Sequence, residues 1–252
     1  MRLITVGTGT VVPDPDRASA CHWVEEEGTR VIIDCGAGAL QGLARAGLPW
    51  GTVDHLVISH FHADHIVEIP ALIFALKHAQ QELRTDRLDV WGPVGSSRLF
   101  AAWADAYGGW ISEPGFKLAI HDVQPGRSSS LGSLRFRFIH TPHTEESLAL
   151  RIEGSGSALG YTGDSGPDDA LAEFFRGVDL LLAECSLPDE LALDIHLTPS
   201  GLARLATGSG AGRLAVTHVY PQLRRLDVPE LIRQAGYSGE IIMARDGMEL
   251  DI

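Results

Sequence analysis

The sequence has no apolar run that approaches the roughly 20 residues needed to span a bilayer. Its first segment, residues 1–7, is too short in its apolar part to be a signal peptide and is more typical of a first β-strand. We therefore expect no membrane contact and a cytoplasmic location.

Cysteine is scarce: the only three are Cys21, Cys35 and Cys185, and no Cys-x-x-Cys pair occurs. An odd number of widely spaced cysteines is best explained by free thiols in a reducing compartment. Cys35 and Cys185 each follow an apolar strand-like segment, so we expect buried thiols there rather than nucleophiles.

Basic residues are outnumbered, with 20 lysines and arginines against 33 acidic residues and a net charge of −13. Such a chain repels a long polyanion unless its basic residues cluster. The basic candidates occur as pairs and form no run: Arg84 with Arg87, Arg135 with Arg137, and Arg224 with Arg225. Extended nucleic acid is therefore not an expected partner, although a small phosphate ester remains compatible with this charge.

No linker and no shift in composition divide the 252 residues. Apolar strand-like segments alternate with helix-like segments in both halves of the chain, which favours one α/β sandwich. We expect residues 1–252 to form a single domain with a substantial core.

The densest polar motif is the segment His60-Phe61-His62-Ala63-Asp64-His65. An apolar strand, residues 53–59, precedes it, and Pro70 with the apolar run 71–76 predicts a helix after it. The histidines should therefore lie on a loop at a strand end. Imidazole and carboxylate together suit zinc, iron or manganese.

Three later strand ends carry further metal-binding side chains: His143, Asp164 and His218. Loops at one edge of a sheet can bring together residues that are distant in sequence. Two metal ions need about eight to ten ligand positions, some filled by water. The histidines and aspartates at these strand ends supply the right number and type.

In these motifs the chain resembles the metallo-β-lactamase superfamily, and within it the ribonuclease Z-like phosphodiesterase branch. The resemblance rests on the segments Gly7-Thr8-Gly9, residues 31–36, residues 60–65, Thr141-Pro142-His143, residues 161–164, residues 215–218 and Asp246-Gly247-Met248. It implies a four-layer αββα sandwich with the site at one edge of the sheets. It also implies one metal on His60, His62 and His143, a second on Asp64, His65 and His218, and Asp164 bridging both.

The same resemblance assigns a role to Glu184 and His196. In ribonuclease Z-like enzymes a histidine at this position, oriented by an acidic residue, is proposed to aid the leaving group; the alternative is that both residues only cap structure. The implied enzyme is a hydrolase with two divalent ions, Zn²⁺ first and Mn²⁺ or Fe²⁺ as alternatives. A two-metal-activated hydroxide would attack phosphorus, with Asp64 orienting the nucleophile.

One departure from ribonuclease Z concerns the substrate. Those enzymes carry a long arm for transfer RNA between the positions of His143 and Asp164, whereas here the separation is only 164 − 143 = 21 residues. We therefore expect a small phosphodiester or nucleotide, such as a cyclic nucleotide, rather than precursor transfer RNA. Glu68 stands where the family often has a small residue, so the resemblance does not predict which residues surround the metal ligands at this point.

Several alternatives stay open at this point. The ester could be a lactone, a thioester or a sulfate ester, or the activity could be ribonuclease Z-type RNA processing. Outside hydrolysis, the candidates are a mononuclear iron sulfur dioxygenase and a metal-binding protein without turnover. Relatives commonly form dimers, and the aromatic stretch 103–116 is a candidate lid, core element or dimer contact.

Overall fold

A computed structural model describes residues 1–79 and 82–252 of the chain. The first half supplies six strands and four helices. In chain order these are β1 (Arg2–Gly7), β2 (Cys21–Glu26), β3 (Thr29–Ile33), α1 (Ala39–Arg45), β4 (His55–Val57), α2 (Ala63–Ile66), α3 (Ile69–His78), β5 (Leu88–Pro93), α4 (Ser96–Tyr107) and β6 (Leu118–Val123).

The second half supplies eight strands and four helices. In chain order these are β7 (Ser128–Leu131), β8 (Leu134–His140), β9 (Leu148–Glu153), β10 (Ala158–Tyr161), α5 (Asp169–Phe174), β11 (Leu180–Glu184), α6 (Pro199–Ser209), β12 (Arg213–Thr217), α7 (Pro221–Arg224), α8 (Val228–Gln234), β13 (Glu240–Met243) and β14 (Met248–Asp251). Among the described residues, no helix has both the length and the apolar character needed to cross a membrane.

The described strands form two sheets of seven. The first has the order β14-β1-β2-β3-β4-β5-β6, and the second has the order β13-β12-β11-β10-β9-β8-β7. In each sheet an antiparallel part joins a parallel part: β3 to β6 run parallel in the first sheet, and β10 to β13 do so in the second. The carboxyl ends of the parallel strands in each sheet therefore lie at one edge.

Three hydrophobic clusters explain why the layers stack as they do. One lies between the sheets and contains Phe136 and Phe138 of β8. A second joins the outer face of the first sheet to helices α1, α3 and α4, and a third joins the second sheet to α5, α6 and α8. Four layers bury these three interfaces, and the predicted αββα sandwich is confirmed.

Some predicted boundaries were wrong. The sequence predicts a turn-rich segment at 124–130 and one strand at 131–140, but the structure has a hairpin, with β7 from Ser128 and a turn at Gly132 before β8. Gly132 has a φ of 58°, which favours glycine, and this breaks the predicted strand. Helices α7 and α8 were not predicted.

The aromatic stretch 103–116 packs on the first sheet's helical layer. Ile111 and Phe116 are buried there, and Trp103 and Trp110 pack against the same cluster. This supports the prediction of a core element. Its role as a dimer contact stays a prediction.

Candidate metal centre

The segment His60–His65 leaves the carboxyl end of β4 as a loop and then becomes a helix. His60 and His62 lie on the loop as predicted, whereas Asp64 and His65 lie in the short helix α2. Helix α2 packs closely against Gly36, because a Cβ atom at that position would lie 1.9 Å from the Asp64 carbonyl oxygen. Close packing against the turn after β3 therefore fixes where Asp64 and His65 stand.

The other candidate ligands follow strand ends of the second sheet. His143 lies after β8, Asp164 after β10 and His218 directly after β12. These three strands point the same way, since β8 and β10 are each antiparallel to β9, and β10 to β12 run parallel. The sheet edge thus gathers residues that are far apart in the sequence.

The structure brings the predicted ligands into two groups. His60, His62, His143 and Asp164 form one group, and each member offers a donor atom within 4.8 Å of the others. The second group satisfies the same criterion and consists of Asp64, His65 and His218. These groups match the two ligand sets that the family resemblance implies.

Asp164 faces both groups. Its Oδ2 lies 3.7 Å from His143 Nε2 and 3.5 Å from His218 Nε2, and its Oδ1 lies 3.4 Å from His65 Nε2. Oδ2 therefore lies between members of both groups, and the carboxylate is placed as a ligand shared by two ions would be. His196 forms a further group with Asp164 and His218, so it borders the same space.

The donor atoms fit divalent cations. His60 Nε2, His65 Nε2 and Asp164 Oδ1 are buried, and none has a hydrogen-bond partner among the described residues. Buried polar atoms without partners are costly, and a cation bound between them removes that cost. Imidazole nitrogen with carboxylate oxygen is a donor set typical of Zn²⁺.

The ionisable groups of the centre shift one another's pKa values. Burial raises the pKa of Asp164, but His218, His65 and His60 outweigh burial and hold it well below its ordinary value. Burial lowers the pKa of His60 well below its ordinary value, with His65 adding to the effect. A neutral His60 beside an ionised Asp164 is the protonation state that metal binding requires.

Asp34 contacts the candidate metal centre and was not among the site residues that the sequence analysis predicted. Its Oδ2 accepts hydrogen bonds at 2.8 Å from His65 Nδ1, Ser59 Oγ and Tyr161 Oη, and its Oδ1 accepts one from the Ser59 backbone nitrogen. A carboxylate on Nδ1 directs the opposite nitrogen of His65 toward a metal. Its sequence signals were its position directly after a buried strand and its place in the segment 31–36 on which the family resemblance rests.

Glu184 and His196 meet as the resemblance implies. His196 Nδ1 lies 2.9 Å from Glu184 Oε1, and Glu184 is fully buried at the end of β11. Burial acts to lower the pKa of His196, but the hydrogen bond and the charge of Glu184 outweigh it and raise that pKa. His196 therefore keeps a proton to a higher pH than a free histidine does.

Glu68 caps a helix. Its carboxylate accepts hydrogen bonds from the backbone nitrogens of Gly38 and Leu40, at 2.7 and 2.8 Å, where α1 begins. Glu68 lies between α2 and α3, and its hydrogen bonds therefore connect this segment to α1. A small residue at this position cannot make that connection.

The last motif, Asp246-Gly247, also has a structural role near the site. Asp246 accepts hydrogen bonds from the backbone nitrogens of Thr8 and Ala18, at 2.9 and 2.6 Å. The Thr8 carbonyl in turn accepts from the His218 backbone nitrogen at 3.2 Å. The early glycine loop and the closing motif therefore position His218 together.

A cavity of ≈ 300 Å³ opens over the centre. Its lining combines polar and apolar side chains: Val11, His62, Ala63, Asp64, His143, Asp164, Ile195, His196 and Tyr220. No residue of the stretch 103–116 is among these described lining residues, so that stretch forms no wall of this cavity. Tyr220, which the sequence analysis also missed, stands with its ring centroid 5.7 Å from that of His218 and 6.1 Å from that of His196.

The remaining histidines and the thiols lie elsewhere. His22 is buried, whereas His78 and His140 are exposed. All three cysteines are free and buried, as predicted for two of them. Burial raises the pKa of each thiol, which makes a nucleophilic role unfavourable.

Comparison with known proteins decides the family. The profile of the beta-lactamase superfamily domain matches residues 29–219, which is well over half of the chain. The chain belongs to the metallo-β-lactamase superfamily. A ribonuclease Z from Haloferax volcanii is 29% identical over 309 positions that cover 100% of this chain and 95% of that protein. This similarity agrees with the ribonuclease Z-like branch.

Solved structures share the metallo-β-lactamase fold. The metallo-beta-lactamase fold protein YhfI from Bacillus subtilis is 24% identical, with a TM-score of 0.86 and 99% of each chain covered. A diphosphatase from the PhnP family is 21% identical, with a TM-score of 0.74, and the match covers 100% of this chain and 97% of that one. At these identities the likeness establishes the fold alone.

Proposed function

We propose that the protein is a metal-dependent hydrolase of small phosphodiesters. The observation that carries this proposal is the pair of donor groups with Asp164 close to members of both, because two adjacent cation sites suit in-line displacement at phosphorus. The ribonuclease Z and the PhnP-family diphosphatase among the similar proteins support a phosphate ester as substrate.

The proposed ligands are His60, His62 and His143 for one ion and Asp64, His65 and His218 for the other, with Asp164 between them. When bound, the divalent ions supply Lewis acidity to the phosphoryl oxygens and activate the attacking water. Zn²⁺ is the first expectation for both sites, and Mn²⁺ or Fe²⁺ are the alternatives.

The protein's own residues supply orientation and proton transfer. Asp64, which lines the cavity, accepts a hydrogen bond from the attacking water and orients it. His196, held by Glu184 at 2.9 Å, donates a proton to the departing ester oxygen. The raised pKa of His196 favours the protonated form that this step needs.

Three features support a small monoanionic diester over a long RNA. No lysine or arginine is among the described residues that line the cavity. Between His143 and Asp164, where the resemblance places the arm of ribonuclease Z, this chain has only β9, β10 and the turn at residues 154–157. The alignment with the Haloferax protein has 309 − 252 = 57 positions with no counterpart here.

Metal content followed by a substrate panel on the same sample tests the proposal. We expect two divalent ions per chain and turnover of cyclic nucleotides or bis(p-nitrophenyl) phosphate, but not of lactones, thioesters or sulfate esters. His60→Ala should abolish turnover, whereas the exposed His78→Ala is the matched control. One iron per chain, or no hydrolysis of any phosphodiester, would refute the proposal.

The role of His196 needs a separate test, because the metal ions alone can drive the loss of a good leaving group. His196→Ala should slow hydrolysis of an alkyl phosphodiester by about 10² to 10⁴-fold and a p-nitrophenyl diester far less. Equal losses for both leaving groups would remove the proton-donor role and leave the metal chemistry standing.

A further inference from the structure

The Glu184 carboxylate accepts hydrogen bonds from other groups besides His196. Its Oε1 accepts hydrogen bonds from His196 Nδ1 at 2.9 Å and from the Ser165 backbone nitrogen at 2.7 Å. Its Oε2 accepts a short hydrogen bond from the Ser186 hydroxyl. Both oxygens of this buried carboxylate are therefore engaged, and Ser186 is the partner that the proposed reaction leaves without a role.

Ser186 also contacts a proposed metal ligand. Its Oγ lies 3.1 Å from His218 Nδ1 and 3.1 Å from the His218 carbonyl oxygen. A carboxylate accepts a hydroxyl hydrogen more strongly than a neutral carbonyl does, so the Ser186 hydrogen goes to Glu184. The lone pairs of Oγ then accept the hydrogen on His218 Nδ1.

This chain of hydrogen bonds selects one tautomer of His218. With hydrogen on Nδ1, the lone pair is on Nε2, which lies 3.3 Å from Asp64 Oδ2 and 3.5 Å from Asp164 Oδ2. Nε2 is thus presented to the space where the second ion is proposed. Hydrogen bonds to the outer nitrogen of a histidine fix both ring orientation and ligand basicity.

The first half of the chain contains the same arrangement of groups. Asp34 bonds His65 Nδ1 directly and reaches His60 Nδ1 through Ser59, whose Oγ lies 2.8 Å from Asp34 Oδ2 and 3.0 Å from His60 Nδ1. A buried carboxylate that holds one histidine directly and another through a serine therefore occurs twice at this centre. The recurrence argues for a positioning role and against a chance contact of Ser186.

We infer that Ser186 is a positioning residue that couples the metal ligand His218 to the Glu184–His196 pair. Glu184 would then serve both the leaving-group histidine and the second metal site. This inference rests on the proposed function for the ligand role of His218. It adds that Glu184 sets metal affinity although its carboxylate is not a ligand.

Zinc affinity of the full-length protein, measured by competition with a chromophoric chelator, tests the inference. We expect Ser186→Ala to weaken the binding of one of two zinc ions by about 10- to 100-fold and to leave the affinity for the other unchanged. Ser209→Ala is the matched control, since Ser209 is buried and its hydroxyl bonds to backbone groups around the end of α6, donating to the Ala206 carbonyl and accepting from the Ala211 nitrogen. Wild-type affinity for both ions in Ser186→Ala, or equal weakening of both, would overturn the inference.

A second comparison covers the case in which Ser186→Ala does not fold. Glu184→Gln should weaken the binding of the same zinc ion by about 10- to 100-fold, with Ser209→Ala again as the control. Where Ser186→Ala does fold, the double variant Glu184→Gln with Ser186→Ala should bind zinc no more weakly than Glu184→Gln alone, because both substitutions act through one path. Additive losses, or no loss in Glu184→Gln, would also refute the coupling.

The measurements separate this inference from the proposed function. If the wild-type protein binds fewer than two ions or hydrolyses no phosphodiester, the proposed function fails first. If it binds two ions and hydrolyses diesters while Ser186→Ala keeps full affinity for both, only the role of Ser186 fails.

Discussion

His22 is expected to make the protein sensitive to mild acid. It is fully buried on β2, its ring packs edge-on against Tyr161 at 5.0 Å between centroids, and neither ring nitrogen has a hydrogen-bond partner among the described residues. Burial lowers the pKa of His22 from an ordinary value of 6.5 to about 4. A folded protein with this histidine must keep it neutral.

The sign and size of the effect follow from linkage. Below pH 6.5 the unfolded chain binds a proton at His22 that the folded chain does not, so acid favours unfolding. The contribution of neutral His22 to the free energy of unfolding is fully present above pH 6.5 and is lost as the pH falls toward about 4. Between pH 7 and pH 5 the free energy of unfolding should fall by about 2 kcal/mol because of His22 alone.

The assay compares the wild-type protein with His22→Leu, in which a side chain of similar volume cannot titrate. Urea unfolding of both proteins at pH 7 and pH 5, with the same chelator present, cancels the contributions of the other ionisable groups. The leucine variant should lose about 2 kcal/mol less than the wild type over this range. Equal losses in the two proteins would show that His22 is not held neutral, and the reasoning would fail.

Urea unfolding also checks three further expectations. Asp34→Ala removes the acceptor of four hydrogen bonds and should cost about 3–5 kcal/mol, together with a loss of zinc affinity, whereas unchanged zinc binding would contradict its role. Glu68→Ala uncaps α1 and should cost about 1–2 kcal/mol, with Glu68→Gln losing less. Arg84→Ala leaves four backbone carbonyls without their donor and should cost about 2–4 kcal/mol, while the exposed Arg135→Ala should stay within about 0.5 kcal/mol.

The proposed ligands could be found from the sequence because of where they stand. His60, His143 and His218 each follow a strand, and strands that run in the same direction place such ends at one edge of a sheet whatever the loops between them do. Asp64 and His65 could be found from the same motif, because they lie in one turn of α2 shortly after His60. The identification of these residues as ligands stays a prediction, as do the dimer, the cytoplasmic location and the treatment of residues 1–252 as one hydrolase domain.

The residues that support the ligands could not be found in the same way. Ser186 matters only because its hydroxyl stands between Glu184 and His218, and 32 positions separate the serine from that histidine. Tyr161 reaches Asp34 across the space between the two sheets, over 127 positions. No local pattern records such contacts, because they depend on how two sheets pack and on which rotamer each side chain adopts.

Backbone strain is an independent observation that points to Asp34 and His218. Asp34 and His218 are non-glycine residues with φ values of 57° and 53°, a left-handed conformation that glycine adopts at lower cost. Glycine there would relieve strain of about 1–3 kcal/mol each, but it would remove four hydrogen bonds at one position and a proposed ligand at the other. The hydrogen bonds of Asp34 to Ser59, His65 and Tyr161 offset the strain locally. At His218 the offset includes the backbone bond to Thr8 and the contact with Ser186. A third non-glycine residue with positive φ, Glu27 at 47°, lies in the turn between β2 and β3. At Asp34 and His218 the side chains are best explained by the contacts they make at the candidate metal centre.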